Sequence, residues 1–323
     1  LRADRPRVGI FVQAYNTARY IGECLESVLA QGSGYALDVL VIDDASPDGT
    51  VDEVRRFGDR VRLVRHQTNT GATATANEGY AAVGGEFVMR LDSDDRLRPG
   101  FLDQTVPVLT AHPEAGLVYS DVALIDEAGQ LTQSRTFTAR TGSTIGDEFF
   151  PLLTDNYIPA PSTLVRRTAL AAVLPIPATL TFVDWYVSTG IAERWDCAYV
   201  DAVLADYRVH SQSMHHTMVR DCTGEQSSAR ILDARFADPH RADEKRRWHR
   251  RVYGRHYLSY ADKYFGSRMN GPARRCYLAA LRQQPSQLWR TGLARRLAAT
   301  LVGRRAYDAV KAPWVDRPSA APR

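Results

Sequence analysis

Asp92-Ser93-Asp94-Asp95 puts three carboxylates into four positions. Such charges repel one another unless a cation sits among them. Mg2+ and Mn2+ favour oxygen ligands, and Mg2+ commonly takes one or two carboxylates together with substrate phosphates. A calcium loop of the EF-hand type does not fit: Arg96 falls at the fifth ligand position, no glycine is sixth, and Asp103 rather than a glutamate is twelfth. Taken alone, the four residues also fit a solvated turn that caps the next helix. Two further segments could do chemistry beside them: Gln13-Ala14-Tyr15-Asn16 and the acidic string that opens at Asp43-Asp44.

These segments need elements to carry them to one place. Arg7-Val8-Gly9-Ile10-Phe11-Val12 is a continuous apolar run of the kind buried in a parallel sheet. Ile21, Leu25, Val28 and Leu29 then recur at helical spacing. Val39-Leu40-Val41-Ile42 predicts a second strand, ended by the turn-forming string Asp43-Asp44-Ala45-Ser46-Pro47-Asp48-Gly49. Val51, Val54 and Phe57 give a short helical face, and Val61-Arg62-Leu63-Val64 a third strand. A helix over 72–83, stopped by Gly84-Gly85, leads to the strand Phe87-Val88-Met89-Arg90-Leu91, which runs into the acidic turn. Alternating strands and helices with short links imply an α/β fold with a mostly parallel, Rossmann-like sheet flanked by helices. In such sheets ligands bind beyond the carboxyl ends of the strands, where all three segments fall.

The ordered set Val8 to Asn16, Asp43 to Thr50, Asn69-Thr70-Gly71, Asn77-Glu78-Gly79 and Leu91 to Asp95 resembles the signature of inverting family 2 glycosyltransferases with the GT-A fold. The resemblance covers roughly the first two hundred residues. It implies a nucleotide-sugar donor, a UDP-sugar foremost with dTDP- and GDP-sugars open, and Mn2+ or Mg2+ as cofactor. Asp94 resembles the metal-ligating aspartate of the D-x-D motif, and Asp92 its partner near the donor ribose or the metal. Asp44 resembles the carboxylate that accepts from the nucleobase, Tyr15 the aromatic packed on that base, and Ala14 the backbone position beside it. Asn69, Asn77 and Ser93 fall in the matching donor segments. Three positions depart from the pattern: Gln13 stands where a proline is common, Ala76 where many members place an arginine, and Val183 where a glutamate usually precedes the aspartate of the second-half motif.

The second half carries fewer signals. Leu102, Val106 and Leu109 predict a helix, residues 117–125 a strand opening a hairpin through Glu127-Ala128-Gly129-Gln130, and residues 162–165 another strand. In Thr181-Phe182-Val183-Asp184-Trp185-Tyr186, Asp184 resembles the family's general base, with a helix expected from there to Ala192. Trp185 and Tyr157 are expected on the acceptor side. In Asp206-Tyr207-Arg208-Val209-His210, a segment like one that closes over the diphosphate, Arg208 is expected at the donor and His210 at the metal. His215 is expected near the acceptor, whose identity the sequence leaves open.

The motifs of competing classes are missing. There is no G-x-G-x-x-G after the first strand and no G-x-x-x-x-G-K-[ST], which argues against a dinucleotide-dependent dehydrogenase and a P-loop NTPase. A nucleotidyltransferase acting on sugar phosphates lacks its glycine-rich phosphate loop here, but it and a non-catalytic nucleotide-sugar-binding protein remain the alternatives. Cys24, Cys197, Cys222 and Cys276 form no C-x-x-C pair, so buried thiols are expected. No apolar run reaches the roughly 18–20 residues needed to cross a bilayer. A cytoplasmic protein is therefore expected, with the inner membrane surface as a peripheral site.

Charge is divided along the chain. Residues 1–240 hold 21 Lys and Arg against 32 Asp and Glu, whereas residues 241–311 hold 18 against 4. The expected organisation is a transferase domain over 1–220, with donor half 1–100 and acceptor half 101–220. A basic helical region over 221–311 and a flexible tail over 312–323 follow. The basic end suits an acidic partner, a membrane surface or self-association, or is simply a solvated face. No nucleic-acid partner is expected.

Overall fold

The computed structural model describes residues 5–136, 141–210, 218–287 and 292–302 of the chain. It divides into two compact units, Leu1–Ser213 and Met214–Arg323. The first is an α/β unit built on one mixed, mostly parallel sheet. Its first half reads β1 (Arg7–Ala14), α1 (Ile21–Leu29), β2 (Ala36–Asp43), α2 (Thr50–Arg55), β3 (Arg62–Arg65), α3 (Ala72–Ala82) and β4 (Phe87–Asp92). These strands pair in parallel in the order β3-β2-β1-β4. Val8, Ile10, Phe11, Val12, Leu40, Val41, Ile42, Met89 and Leu91 are fully buried, which is why continuous apolar runs form these strands.

Register decides what the sheet can do. Ala14 pairs with Asp43, and Gln13 with Asp92. The three polar segments therefore leave neighbouring strands at the same level. α3 lies flat on β1 because Gly79 has no side chain: a Cβ there would stand 2.2 Å from Phe11 Cδ2.

Beyond the acidic turn come β5 (Arg96–Leu97), α4 (Phe101–Ala111), β6 (Ala115–Ile125), β7 (Leu131–Gln133), β8 (Thr144–Gly146), α5 (Phe149–Thr154), β9 (Thr163–Arg166), α6 (Arg167–Ala171), α7 (Val183–Ala192) and β10 (Asp196–Arg208). Here strict alternation ends. β9 inserts antiparallel between β4 and β6, and β10 returns parallel to β6. β5 is antiparallel to β10, through Leu97 with Ala205 and Arg96 with Asp206, which joins the exit of the acidic turn to the end of β10.

The second unit is helical in its described part: α8 (Thr223–Ala237), α9 (Ala242–Gly266), α10 (Asn270–Gln283) and α11 (Leu293–Val302). Its core gathers Leu258, Tyr264, Phe265, Ala273, Cys276, Tyr277 and Ala280. Asn270-Gly271-Pro272, a turn-forming string by composition, is the first turn of α10. Proline fits there because the first-turn N–H groups have no intrahelical partner to lose. Glu225 is buried and held by Arg275 (2.9 and 2.7 Å) and by Tyr264 Oη (3.0 Å). Arg246, Arg247, Arg250, Arg251 and Arg255 are exposed along α9. All four cysteines are free thiols, three of them buried. Among the described residues no helix is long and apolar enough to cross a membrane.

Candidate active site

The turn after β1 is locked to the turn after β2. Asn16, in the left-handed region at φ 57°, donates its N–H to Ser46 Oγ (3.0 Å). Thr17 N–H donates to Thr50 Oγ1 (2.9 Å) and Ala18 N–H to Asp48 Oδ2 (3.0 Å). Ser93, almost fully buried, donates to Thr17 Oγ1 (2.9 Å), tying in the acidic turn. Ala14 is buried, while Tyr15 stands out at the rim, 52% exposed. An aromatic left bare at a strand end offers a stacking face.

Asp44 is a heavily used acceptor. Its Oδ1 receives the Thr70 N–H (2.7 Å), the Thr70 hydroxyl (2.9 Å) and the His66 ring (Nδ1, 2.7 Å), and its Oδ2 receives the Gly71 N–H (2.8 Å). Asn69 Nδ2 donates to the Asp44 carbonyl (3.1 Å), so the 69–71 segment is wrapped around this residue. The second ring nitrogen of His66 meets Glu78 at 2.8 Å. Burial pushes the Asp44 carboxyl up, but the bonds from His66, Thr70 and Gly71 outweigh it and hold it below its usual range. The Asp44 bond in turn raises His66, against burial and with help from Glu78.

These shifts fix the sign of a pH effect. A raised histidine stabilises the fold fully below its unfolded value near 6.5 and loses that contribution as pH climbs through its folded value. A depressed Asp44 contributes above its unfolded value near 3.9 and loses that contribution as pH falls through its folded value. The melting temperature is thus expected to fall more steeply between about pH 6 and pH 9 in the wild type than in His66→Gln. Equal slopes in a calorimetric pH series would remove His66 from this role.

In the acidic turn each carboxylate has a different environment. Both Asp92 oxygens face Arg90, with Nη1 at 2.6 Å and Nη2 at 3.1 Å. Asp94 Oδ2 lies 2.8 Å from His210 Nε2. Asp95 is buried; its Oδ1 accepts the Arg208 N–H (2.8 Å), and its Oδ2 has no hydrogen-bond partner among the described residues. Burial, then the charge on Asp92, raises the Asp94 carboxyl despite the His210 bond. Burial, Asp94 and Asp92 raise Asp95 further.

Arg208 lies behind the turn rather than in the cleft. Its side chain is 1% exposed. Nε donates to the Asp94 carbonyl (2.8 Å), Nη1 to the Asp126 carbonyl (3.1 Å) and Nη2 to Glu23 Oε2 (2.9 Å), with the guanidinium over the Tyr20 ring at 4.7 Å. Each of its three guanidinium nitrogens already has a partner behind the turn, and the buried side chain is not open to the cleft where a donor contact is expected. Asn77 is likewise spent on backbone: it donates to the Ile176 carbonyl and accepts the Ile176 N–H, both at 2.8 Å.

Asp184 sits in the first turn of α7, half-buried, and accepts from Asn156 Nδ2 at 3.3 Å. It lines one cavity with Arg90, Tyr80, Ile158, Thr163 and Ser188. Burial opposes a charge on Arg90, but Asp92, Tyr80 and Asp184 outweigh it and keep the guanidinium firmly protonated. Trp185, expected at the acceptor, is 5% exposed, and its indole N–H donates to the Leu152 carbonyl (2.7 Å) inside the core. Tyr157 is half-buried; its hydroxyl donates to Glu148, which also accepts from Tyr119 at 3.2 Å. His215 lies outside the described residues.

A divalent ion fits this site in part. Among the described residues no group of three or more His, Cys, Asp or Glu side chains is arranged to hold a metal. Asp94 and His210 supply one carboxylate and one imidazole, beside the unpartnered Asp95 Oδ2. These residues could supply part of the shell of an ion that phosphates and water complete.

The profile described as glycosyl transferase family 2 matches residues 9–174. An uncharacterized protein of Mycobacterium tuberculosis is 28% identical over 214 residues, covering 64% of this chain and 60% of that protein. The chain thus spans about 60% of the length of the mycobacterial relatives it matches. The succinoglycan biosynthesis protein ExoO of Rhizobium meliloti is 40% identical over 102 residues, 31% of this chain and 29% of that protein. Two solved structures share the fold. Staphylococcus aureus TarS 1-349 with UDP-GlcNAc has a TM-score of 0.62 at 14% identity, covering 95% of this chain and 92% of that one. The mannosyltransferase PcManGT of Pyrobaculum calidifontis with GDP-Man and Mn2+ has a TM-score of 0.60 at 19% identity, covering 98% and 89%.

Proposed function

Because the chain belongs to glycosyl transferase family 2, we propose that it moves a sugar from a nucleotide-diphosphate sugar to an acceptor nucleophile, with inversion at the anomeric carbon. One observation supports this reading: Ala14 lies beside Asp43, and Gln13 beside Asp92, so the segments read as binding nucleotide and diphosphate leave neighbouring strands at the same end.

Tyr15 offers its exposed face to the base. Asp44 Oδ2, with a single protein donor, keeps a lone pair for a base N–H. UDP is the nucleotide we assign, with dTDP and GDP as the alternatives. Asp94 and His210 would hold Mn2+ or Mg2+ here. When bound, the ion offsets charge on the leaving group. Asp184 takes the proton from the acceptor hydroxyl as its oxygen bonds to the anomeric carbon, while the bond to the diphosphate breaks and its electron pair leaves with the nucleotide. The acceptor enters past Tyr157. The basic helices of the second unit suit an anionic membrane surface or a second copy of the chain, on the cytoplasmic side.

A nucleotide screen tests the donor reading. UDP with Mn2+ is expected to raise the melting temperature, by an amount corresponding to about 2.7 kcal/mol at a hundredfold excess over Kd. EDTA is expected to abolish both this shift and the slow hydrolysis of the nucleotide sugar. No response to any of the three nucleotides, with Mn2+ present, sinks the proposal.

A further inference from the structure

We propose that Arg90 is a positioning residue that withdraws Asp92 from the cation and links the donor edge to the cavity lined by Asp184. Arg90 and Asp92 are two apart on β4 and share a face. The Arg90 fork spends one nitrogen on each Asp92 oxygen, at 2.6 and 3.1 Å. Nη1 also donates to Gln13 Oε1 (2.5 Å), and Gln13 Nε2 donates to the Ala72 carbonyl (2.7 Å). The guanidinium is therefore braced from β1, β4 and the start of α3 at once. Its side chain is only 12% exposed.

A planar fork on a carboxylate is the strongest geometry that pair can adopt. To ligate a divalent ion, Asp92 has to leave that fork and strand a largely buried guanidinium without its counter-charge. Asp94 faces no such competition: among the described residues its side chain meets His210, itself a ligand type. The protein ligands are then Asp94 and His210. Asp92 serves to hold Arg90, whose charge faces the cavity that Asp184 lines.

This inference rests on the reading that Asp94 and His210 hold a divalent ion, and the test separates the two. Mn2+ binding to the full chain is measured by electron paramagnetic resonance with saturating UDP. Asp94→Asn is expected to weaken Mn2+ by about 10–100-fold. Asp92→Asn is expected to leave it within about twofold, because the residue is not a ligand. Arg90→Gln frees Asp92 and is expected to tighten Mn2+ several-fold, on the order of the change a second-layer partner produces, while kcat falls. Arg90→Gln/Asp92→Asn is expected to return to the wild-type affinity. A merely structural role for Arg90 predicts weaker Mn2+ binding in Arg90→Gln and no such return.

Should Arg90→Gln not fold, the comparison of Asp92→Asn with Asp94→Asn still decides. Equal weakening in both makes Asp92 a ligand and overturns the inference. If the wild type binds no Mn2+ and Asp94→Asn changes nothing, the cation reading itself fails, and the inference falls with it.

Discussion

Asp184→Asn is expected to lower kcat by about 10²–10⁴-fold, the usual contribution of a positioned general base. The substitution keeps the side chain's shape and its capacity to accept from Asn156, whose Nδ2 lies 3.3 Å away. What it removes is a negative charge in the first turn of α7 and the ability to take a proton. The lost charge costs the helix about 0.3–1 kcal/mol through its interaction with the helix dipole. Stability therefore changes little against the loss in rate. The Kd for UDP is expected to stay within about twofold, since the interaction is made only as the acceptor reacts. Turnover near wild type removes Asp184 as the base. A matching loss of UDP affinity assigns it to the donor instead.

The rim that gathers the three polar segments was largely legible in the sequence because its strands are continuous apolar runs that stop at polar segments. Val8 to Val12, Val39 to Ile42 and Phe87 to Leu91 each end on residues with lone pairs to offer, and parallel pairing then puts those ends level. The pairing of Asp94 with His210, 116 residues apart, followed from motif resemblance alone. Arg90 was missed although its signal was present: a basic residue two before Asp92 on a strand shares its face. His66 and Glu23 gave no such signal, since each acts through partners distant in sequence. The antiparallel insertion of β9 could not be read either, because four residues of strand pattern carry no direction. Asn77 and Trp185 stand in segments that match the family, yet their polar atoms bond to the backbone of Ile176 and Leu152. A motif marks a segment; which face of its helix meets the cleft is a matter of packing.

Arg208 shows what hangs on that difference, and Arg208→Ala is the second large effect expected. A donor-contacting arginine, lost to alanine, raises the KM for the nucleotide sugar and leaves the melting temperature nearly unchanged. A clamp does the reverse. Arg208 is 1% exposed, and its loss strips donors from the Asp94 and Asp126 carbonyls and a counter-charge from Glu23. Breaking a fully buried ion pair costs about 3–5 kcal/mol. Glu23 is itself 50% exposed, so water takes up part of its charge, and a loss near the lower end, about 3 kcal/mol, is expected. At about 2–4 °C per kcal/mol for a unit of this size, that is a fall in melting temperature on the order of 6–12 °C. Arg208→Lys keeps the charge but not the three-way fork, and is expected to recover less than half of the fall. The backbone N–H of residue 208 still reaches Asp95 Oδ1 in both variants, so the turn keeps one tether. An unchanged melting temperature with a raised KM returns Arg208 to the donor cleft.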